Sequence, residues 1–170
     1  MRAEAGRAPS DRGGRLRRLT ATDRSVHCKQ QTDLSVHFVE GIAMPLVRID
    51  LAAGKPAPYR RAIGDVVYEA MTATLDVPKE DRFQIISEHP ADNFIVDPGF
   101  LGIERSADGV IVQVTLREGR SVEKKRAFYR AVADGLHERI GMRREDVFIN
   151  LVEDRREDWS FGNGEAQYAA

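Results

Sequence analysis

The chain has 170 residues, 42% hydrophobic and 31% charged, with a formal net charge of −1. That length suggests one domain, with or without an appendage, and the composition is that of an ordinary globular chain. No run of about 18 apolar residues occurs, which excludes a membrane-spanning helix, the near-zero charge gives no footprint for nucleic acid, and the lone Cys28 excludes an internal disulfide framework.

The total charge conceals two unlike parts. Residues 1–43 hold eight Arg or Lys against five acids, whereas residues 44–170 hold eighteen against twenty-two. The leader is rich in Arg, Ala, Gly, Ser and Thr. It has too little apolar surface to offset the entropy of ordering, so most of it reads as disordered. Leu34 to Ala43 is mildly apolar and suits a short strand or helix. Three readings of the leader stand open: a flexible tail, a targeting segment, or codons upstream of a true start at Met44. It lacks the apolar stretch of a signal peptide, and its five acids weigh against a mitochondrial transit segment. The third reading is motivated by the periodicity that begins at Met44-Pro45.

An internal repeat organises the remainder. Residues 47–88 fall without a gap on residues 112–153: Val47 meets Val112, Leu51 meets Leu116, Gly54 meets Gly119, Glu80-Asp81 meets Glu145-Asp146 and Phe83 meets Phe148. An ungapped self-match of this length signals duplication of one supersecondary unit. Each copy reads as strand, helix, strand. Leu46 to Leu51 and Ile111 to Leu116 are short β-branched runs. Ile63, Val66, Val67, Ala70 and Met71 recur at helical spacing, as do Phe128, Ala131, Val132, Leu136 and Ile140. Pro56 and Pro58, or Ser121 with Glu123, suit helix starts, and Asp76-Val77-Pro78 and Gly141 suit stops. Phe83 to Glu88 and Val147 to Val152 are the returning strands, each parallel to the first strand of its unit.

The expected fold class is therefore α/β (α+β), with two fused β-α-β repeats (about 45–89 and 110–154) forming a four-stranded sheet with both helices on one face. The opposite face, uncovered yet apolar, calls for a closed oligomer. The segment 89–109 is a linker with turn signals at Asp97-Pro98-Gly99 and Asp108-Gly109. Residues 158–170 are expected to form a C-terminal hairpin about Asn163-Gly164. The glycines of Phe161-Gly-Asn-Gly lack the strand-to-helix context of a phosphate loop. Glu88-His89 lacks a third metal ligand, and His27, His37 and His137 form no constellation. With no nucleotide fingerprint either, neither an organic cofactor nor a metal is expected.

Four stretches, MPLVRIDL at 44–51, VPKEDRFQIISEH at 77–89, LGIERS at 101–106 and EDWSFGNGEAQY at 157–168, resemble the tautomerase superfamily, and within it most nearly the malonate semialdehyde decarboxylase group. The resemblance covers 44–170 and none of 1–43. It implies a trimer of this fold whose catalytic group is an amino-terminal proline, here Pro45. An internal prolyl nitrogen is a tertiary amide without a basic lone pair, whereas an N-terminal proline is a secondary amine. The start of the chain and its function are thus one question; with Pro45 never exposed, the fold would be a non-catalytic binding or assembly module.

The resemblance further implies that Asp81 is the catalytic aspartate, that Arg117 and Arg120 hold a substrate carboxylate, and that Trp159 and Phe161 form an apolar pocket wall. The group's two arginines have one residue between them, whereas Arg117 and Arg120 have two. Arg82 reads as a structural ion-pair residue. The expected function is keto–enol tautomerisation of a small carboxylate by a cytoplasmic homotrimer, with decarboxylation or hydration of a 3-oxo acid as the alternative.

Overall fold

Regular structure begins where the periodicity does. The computed structural model describes residues 44–169. It runs β1 (Leu46–Ala52), α1 (Ala57–Thr74), β2 (Phe83–His89), β3 (Gly99–Phe100), β4 (Ile103–Glu104), β5 (Val110–Arg117), α2 (Val122–Ile140) and β6 (Val147–Asp154). The expectations for the leader, including the element over Leu34 to Ala43 and the idle Cys28, His27 and His37, lie outside the described residues.

The duplicated sequence folds as a duplicated unit. β1 pairs parallel with β2 and β5 parallel with β6, and the two units join through an antiparallel β1–β5 pairing, giving the order β2-β1-β5-β6. Period-2 alternation sorts the strand residues. Val47, Ile49 and Leu51 of β1, with Val110, Val112, Val114 and Leu116 of β5, are buried against Ile63, Val67 and Met71 of α1 and Phe128, Val132 and Leu136 of α2. The helices approach closely at Gly135, where an added Cβ would lie 2.8 Å from Val66 Cγ1. Ser121 caps α2 by accepting the Lys124 N–H at 3.3 Å. Gly141 ends that helix at φ +69, where its lack of a Cβ makes the left-handed conformation cheap.

The opposite sheet face is laid out by register. Phe83, Leu46, Thr115 and Val152 form one row across the strands, followed by Ile85, Arg48, Gln113 and Asn150, then Ser87, Asp50, Ile111 and Phe148. Phe83 is 50% exposed, Ile85 44% and Phe148 42%, so among the described residues the face is left uncovered and is substantially apolar, with a polar middle row.

Two local expectations need correction. Asn163 and Gly164 do adopt the paired positive φ values (59 and 72) of a type I′ turn, but no strands flank them. The flanks Trp159-Ser160 and Glu165-Ala166 lack the β-branched alternation that sustains a ladder. Instead the Gln167 side chain accepts the Phe161 N–H at 2.9 Å and donates to the Gly162 carbonyl at 2.8 Å. Among the described residues the C-terminal stretch is therefore a side-chain-clamped turn rather than a hairpin. Conversely, the linker holds an unanticipated hairpin, β3–β4, turned by Leu101 and Gly102 at φ 53 and 74.

Candidate active site

Chain direction gathers four strand ends at one edge of the sheet. Leu46 pairs with both Phe83 and Thr115, so the chain entering β1 arrives beside the start of β2 and the end of β5. Arg117 in turn pairs with Asp154, the last residue of β6. Beyond it the chain curls through a short 3₁₀ turn, Arg156–Asp158, where the Arg155 N–H donates to Asp158 Oδ2 at 2.8 Å.

This curl closes a small recess. Met44, Arg117, Arg155, Arg156, Trp159, Phe161 and Tyr168 line it. The aromatic wall is internally packed: Trp159 stacks on Phe161 at 5.5 Å, and Tyr168 meets Phe161 edge-on at 4.9 Å. Among the described residues none of the three arginine side chains has an ion pair, whereas Arg60, Arg82, Arg139 and Arg144 pair with Glu88, Asp65, Glu69 and Asp134. Three guanidiniums and an apolar wall give the recess the chemistry that suits a small anion with an unsaturated or apolar body.

The repeat partners Asp81 and Asp146 have diverged in environment. Asp146 is 2% exposed and fully engaged, accepting the Ser106 N–H at 2.6 Å and the Ser106 hydroxyl at 2.7 Å. Asp81 is 7% exposed, and its Oδ2 has no partner among the described residues. Burial pushes its carboxyl above the ordinary value. The Tyr168 hydroxyl is pushed up as well, first by burial and then by the charge of Asp81, so this carboxylate acts on a recess wall. A buried carboxylate with an unspent oxygen has the character of a reacting group; one with both oxygens occupied holds the fold. Accordingly Asp146→Asn, which turns an N–H toward the Ser106 donors, is expected to cost about 1–3 kcal/mol in urea unfolding. Turnover per folded molecule should stay unchanged.

The other expected site residues distribute unevenly. Pro45 is buried, and its nitrogen is bonded to Met44, which lines the recess. Arg117, Trp159 and Phe161 line it directly. Arg120 does not. Its Nε donates to the Leu75 carbonyl at 3.3 Å and its guanidinium to the Arg117 carbonyl, and burial lowers its pKa. It thus steadies the backbone of Arg117. Arg82 pairs with Asp65 at 2.7 Å, and His89 with Asp50 at 2.7 Å. No group of three metal-ligating side chains occurs among the described residues.

Sequence reasoning missed Met44 as a wall, Arg155, Arg156, Tyr168 and Asp154. Both Asp154 oxygens are buried without a partner among the described residues, next to Arg117. Tyr168 stood inside a quoted motif. Arg155-Arg156 carried no signal, because they reach the recess only through the curl after β6.

Comparison with known proteins fits this geometry. Family models described as tautomerase enzyme match residues 45–102 and 81–162. The probable tautomerase YusQ of Bacillus subtilis (strain 168) is 38% identical over 124 residues, covering 98% of that protein and 73% of this chain. A crystal structure of malonate semialdehyde decarboxylase inhibited by 3-bromopropiolate superposes with a TM-score of 0.67 at 41% identity, covering 72% of this chain and 93% of that one. A fused 4-OT described as a symmetric trimer superposes at 0.60, with 26% identity, covering 73% and 98%. This chain belongs to the tautomerase family of enzymes. Among the described residues no helix is long and apolar enough to cross a membrane.

Proposed function

We propose that the working enzyme begins at Pro45 and uses its secondary amine to move a proton in keto–enol tautomerisation of a small 2-oxo or enol carboxylate. The observation that carries this is the recess itself: Met44 lines it beside three arginines without ion pairs among the described residues. The first family match also begins at residue 45. Removing Met44 opens the recess at the Pro45 nitrogen. An α-amino group titrates near ~8 in model compounds, and neighbouring cations together with a dry aromatic wall lower that value. The amine is then a free base at neutral pH.

Arg117 anchors the substrate carboxylate with its planar fork. The amine accepts the enol O–H proton and returns it to the adjacent carbon, so that C=C–OH becomes CH–C=O with no net gain or loss of atoms. Asp81 assists by holding water or a substrate hydroxyl at its unspent oxygen. Arg120 serves at one remove, through its bond to the Arg117 carbonyl. No metal or organic cofactor enters this chemistry. The uncovered sheet face supports assembly as a homotrimer, the state in which the fused 4-OT is described. A cytoplasmic location suits an enzyme of small soluble metabolites.

Decarboxylation or hydration of a 3-oxo acid is the second reading. It is favoured by the 41% identical malonate semialdehyde decarboxylase and by the desolvated Asp81. A protein made to begin at Pro45, given phenylenolpyruvate and separately malonate semialdehyde, tests both. Ketonisation without carbon dioxide release is the expected result. Carbon dioxide release alone replaces the first reading with the second, and inertness toward both, with the fold intact, overturns both.

A further inference from the structure

The two copies of the repeat differ at one groove on the helix side of the sheet. Between α2 and β6 lies an open groove of about 310 Å³, lined by Tyr129, Arg130, Ala133, Val147 and Ile149. In the first copy the equivalent positions are Gly64, Asp65, Tyr68, Arg82 and Gln84. There the protein's own side chains bridge α1 to β2. Arg82 donates to Asp65 Oδ1 at 2.7 Å and to Gln84 Oε1 at 3.0 Å, and its guanidinium lies over the Tyr68 ring at 5.1 Å. Gln84 donates to the Gly64 carbonyl at 2.9 Å, and Gly64 makes room for it, since an added Cβ would meet Gln84 Oε1 at 2.9 Å. None of these bridges can form in the second copy, where Val147 and Ile149 carry no polar side-chain atoms and Ala133 carries no ring. Arg130 stands where Asp65 does, and it takes part in none of the ion pairs among the described residues.

We propose that this groove is a binding site for a small aromatic carboxylate, separate from the recess at the strand ends. In the first copy the occupant is a flat cation, paired with an acid and stacked on a ring. Exchange of the acid for Arg130, with Val147 in place of Arg82, reverses the charge that fits, so the complementary occupant is a flat anion. Its carboxylate accepts two parallel N–H bonds from the Arg130 fork. Its ring rests on Val147, Ile149 and Ala133 beside Tyr129, covering apolar surface that the first copy covers with its own side chains. A groove of about 310 Å³ is at the small end of ligand sites, a size that suits one ring with its carboxylate. It lies by Val147, where β6 begins, whereas the recess follows Asp154, where β6 ends. The two share no residue, and occupancy of one leaves the other open.

Backbone amide NMR of the isotope-labelled full chain tests this, with benzoate as the probe and benzamide as its uncharged counterpart. Benzoate is expected to shift the amides of Tyr129, Arg130, Val147 and Ile149. It should bind there at least about tenfold more tightly than benzamide, the size of one charge-assisted hydrogen bond. Arg130→Ala should reduce benzoate to the benzamide level at the groove and leave any benzoate shifts at Arg117 and Trp159 as they were. Rebuilding the first copy's bridge with Arg130→Asp, Ala133→Tyr and Val147→Arg should abolish the groove shifts. Arg130 is exposed, so Arg130→Ala decides the question even where the triple variant fails to fold. Benzoate shifts confined to Arg117, Trp159 and Phe161 overturn the site, as do equal binding of benzamide and unchanged binding in Arg130→Ala. Groove amides that move on dilution of the protein, and not with benzoate, show a second copy seated there and overturn it equally.

Discussion

Pro45→Ala in a chain that begins at residue 45 is expected to lower phenylenolpyruvate ketonisation by about 10²–10⁴-fold, the usual contribution of a positioned proton-transfer group. Alanine keeps an amino terminus and so a base, but a primary, freely rotating one. The pyrrolidine ring fixes the direction of the nitrogen lone pair, and Pro45 is buried at the start of β1, where its ring is held. The loss should fall mainly on kcat, because Arg117 and the aromatic wall bind the substrate without it. Folding should be unaffected, since the core lies along Val47, Ile49 and Leu51. Ketonisation unchanged in the variant would refute the role of the proline.

Asp81→Asn is expected to separate stability from activity. Activity should fall about 10²–10³-fold if Asp81 handles a proton or aligns water. Stability at neutral pH should hold or rise, because the ionised carboxylate is desolvated and one oxygen is unpaired. The sign follows from the raised carboxyl. Between the ordinary carboxylate value and the raised folded one, the folded chain keeps a proton that the unfolded chain has lost. Wild-type stability therefore falls as pH rises through that window. The asparagine variant lacks this fall, so its urea midpoint should match the wild type in acid and equal or exceed it at neutral pH. Asp146→Asn should do the reverse, losing stability and keeping turnover, and the pair of variants distinguishes the two members of one duplicated position.

Much of the fold was legible because duplication wrote it twice. α1 and α2 begin at Ala57 and Val122, the 65-residue offset of the self-match, and Gly54 recurs as Gly119 at the exits of β1 and β5. Ser121 and Gly141 announced the ends of α2 by their side-chain chemistry. The β3–β4 hairpin was not legible, because its turn places Leu101 at positive φ, a conformation leucine rarely adopts and no sequence signal marks. The reverse holds at Asn163-Gly164, where the turn residues are ideal but the flanks cannot sustain strands.

The site divides along the same line. Pro45, Asp81 and Arg117 were legible through the family's motifs, and they lie at or beside the ends of β1, β2 and β5. Arg120 sits on the loop between β5 and α2, and its side chain turns to the Leu75 and Arg117 carbonyls. The residues at the recess instead, Arg155 and Arg156, follow the last strand, beyond the duplicated stretch. Their place depends on a tertiary return that no local pattern encodes. Asp81 and Asp146 are equivalent in sequence and opposite in environment; only the engagement of Asp146 by Ser106 separates them.

Catalysis by Pro45 requires that its amine be free in the active protein. The most direct measurement is the intact mass of the active fraction purified from cells expressing the unmodified gene. A chain of residues 45–170, starting at the proline and carrying the ketonising activity, is the predicted result. An intact chain still beginning at Met1, and fully active with Pro45 inside a peptide bond, would contradict it.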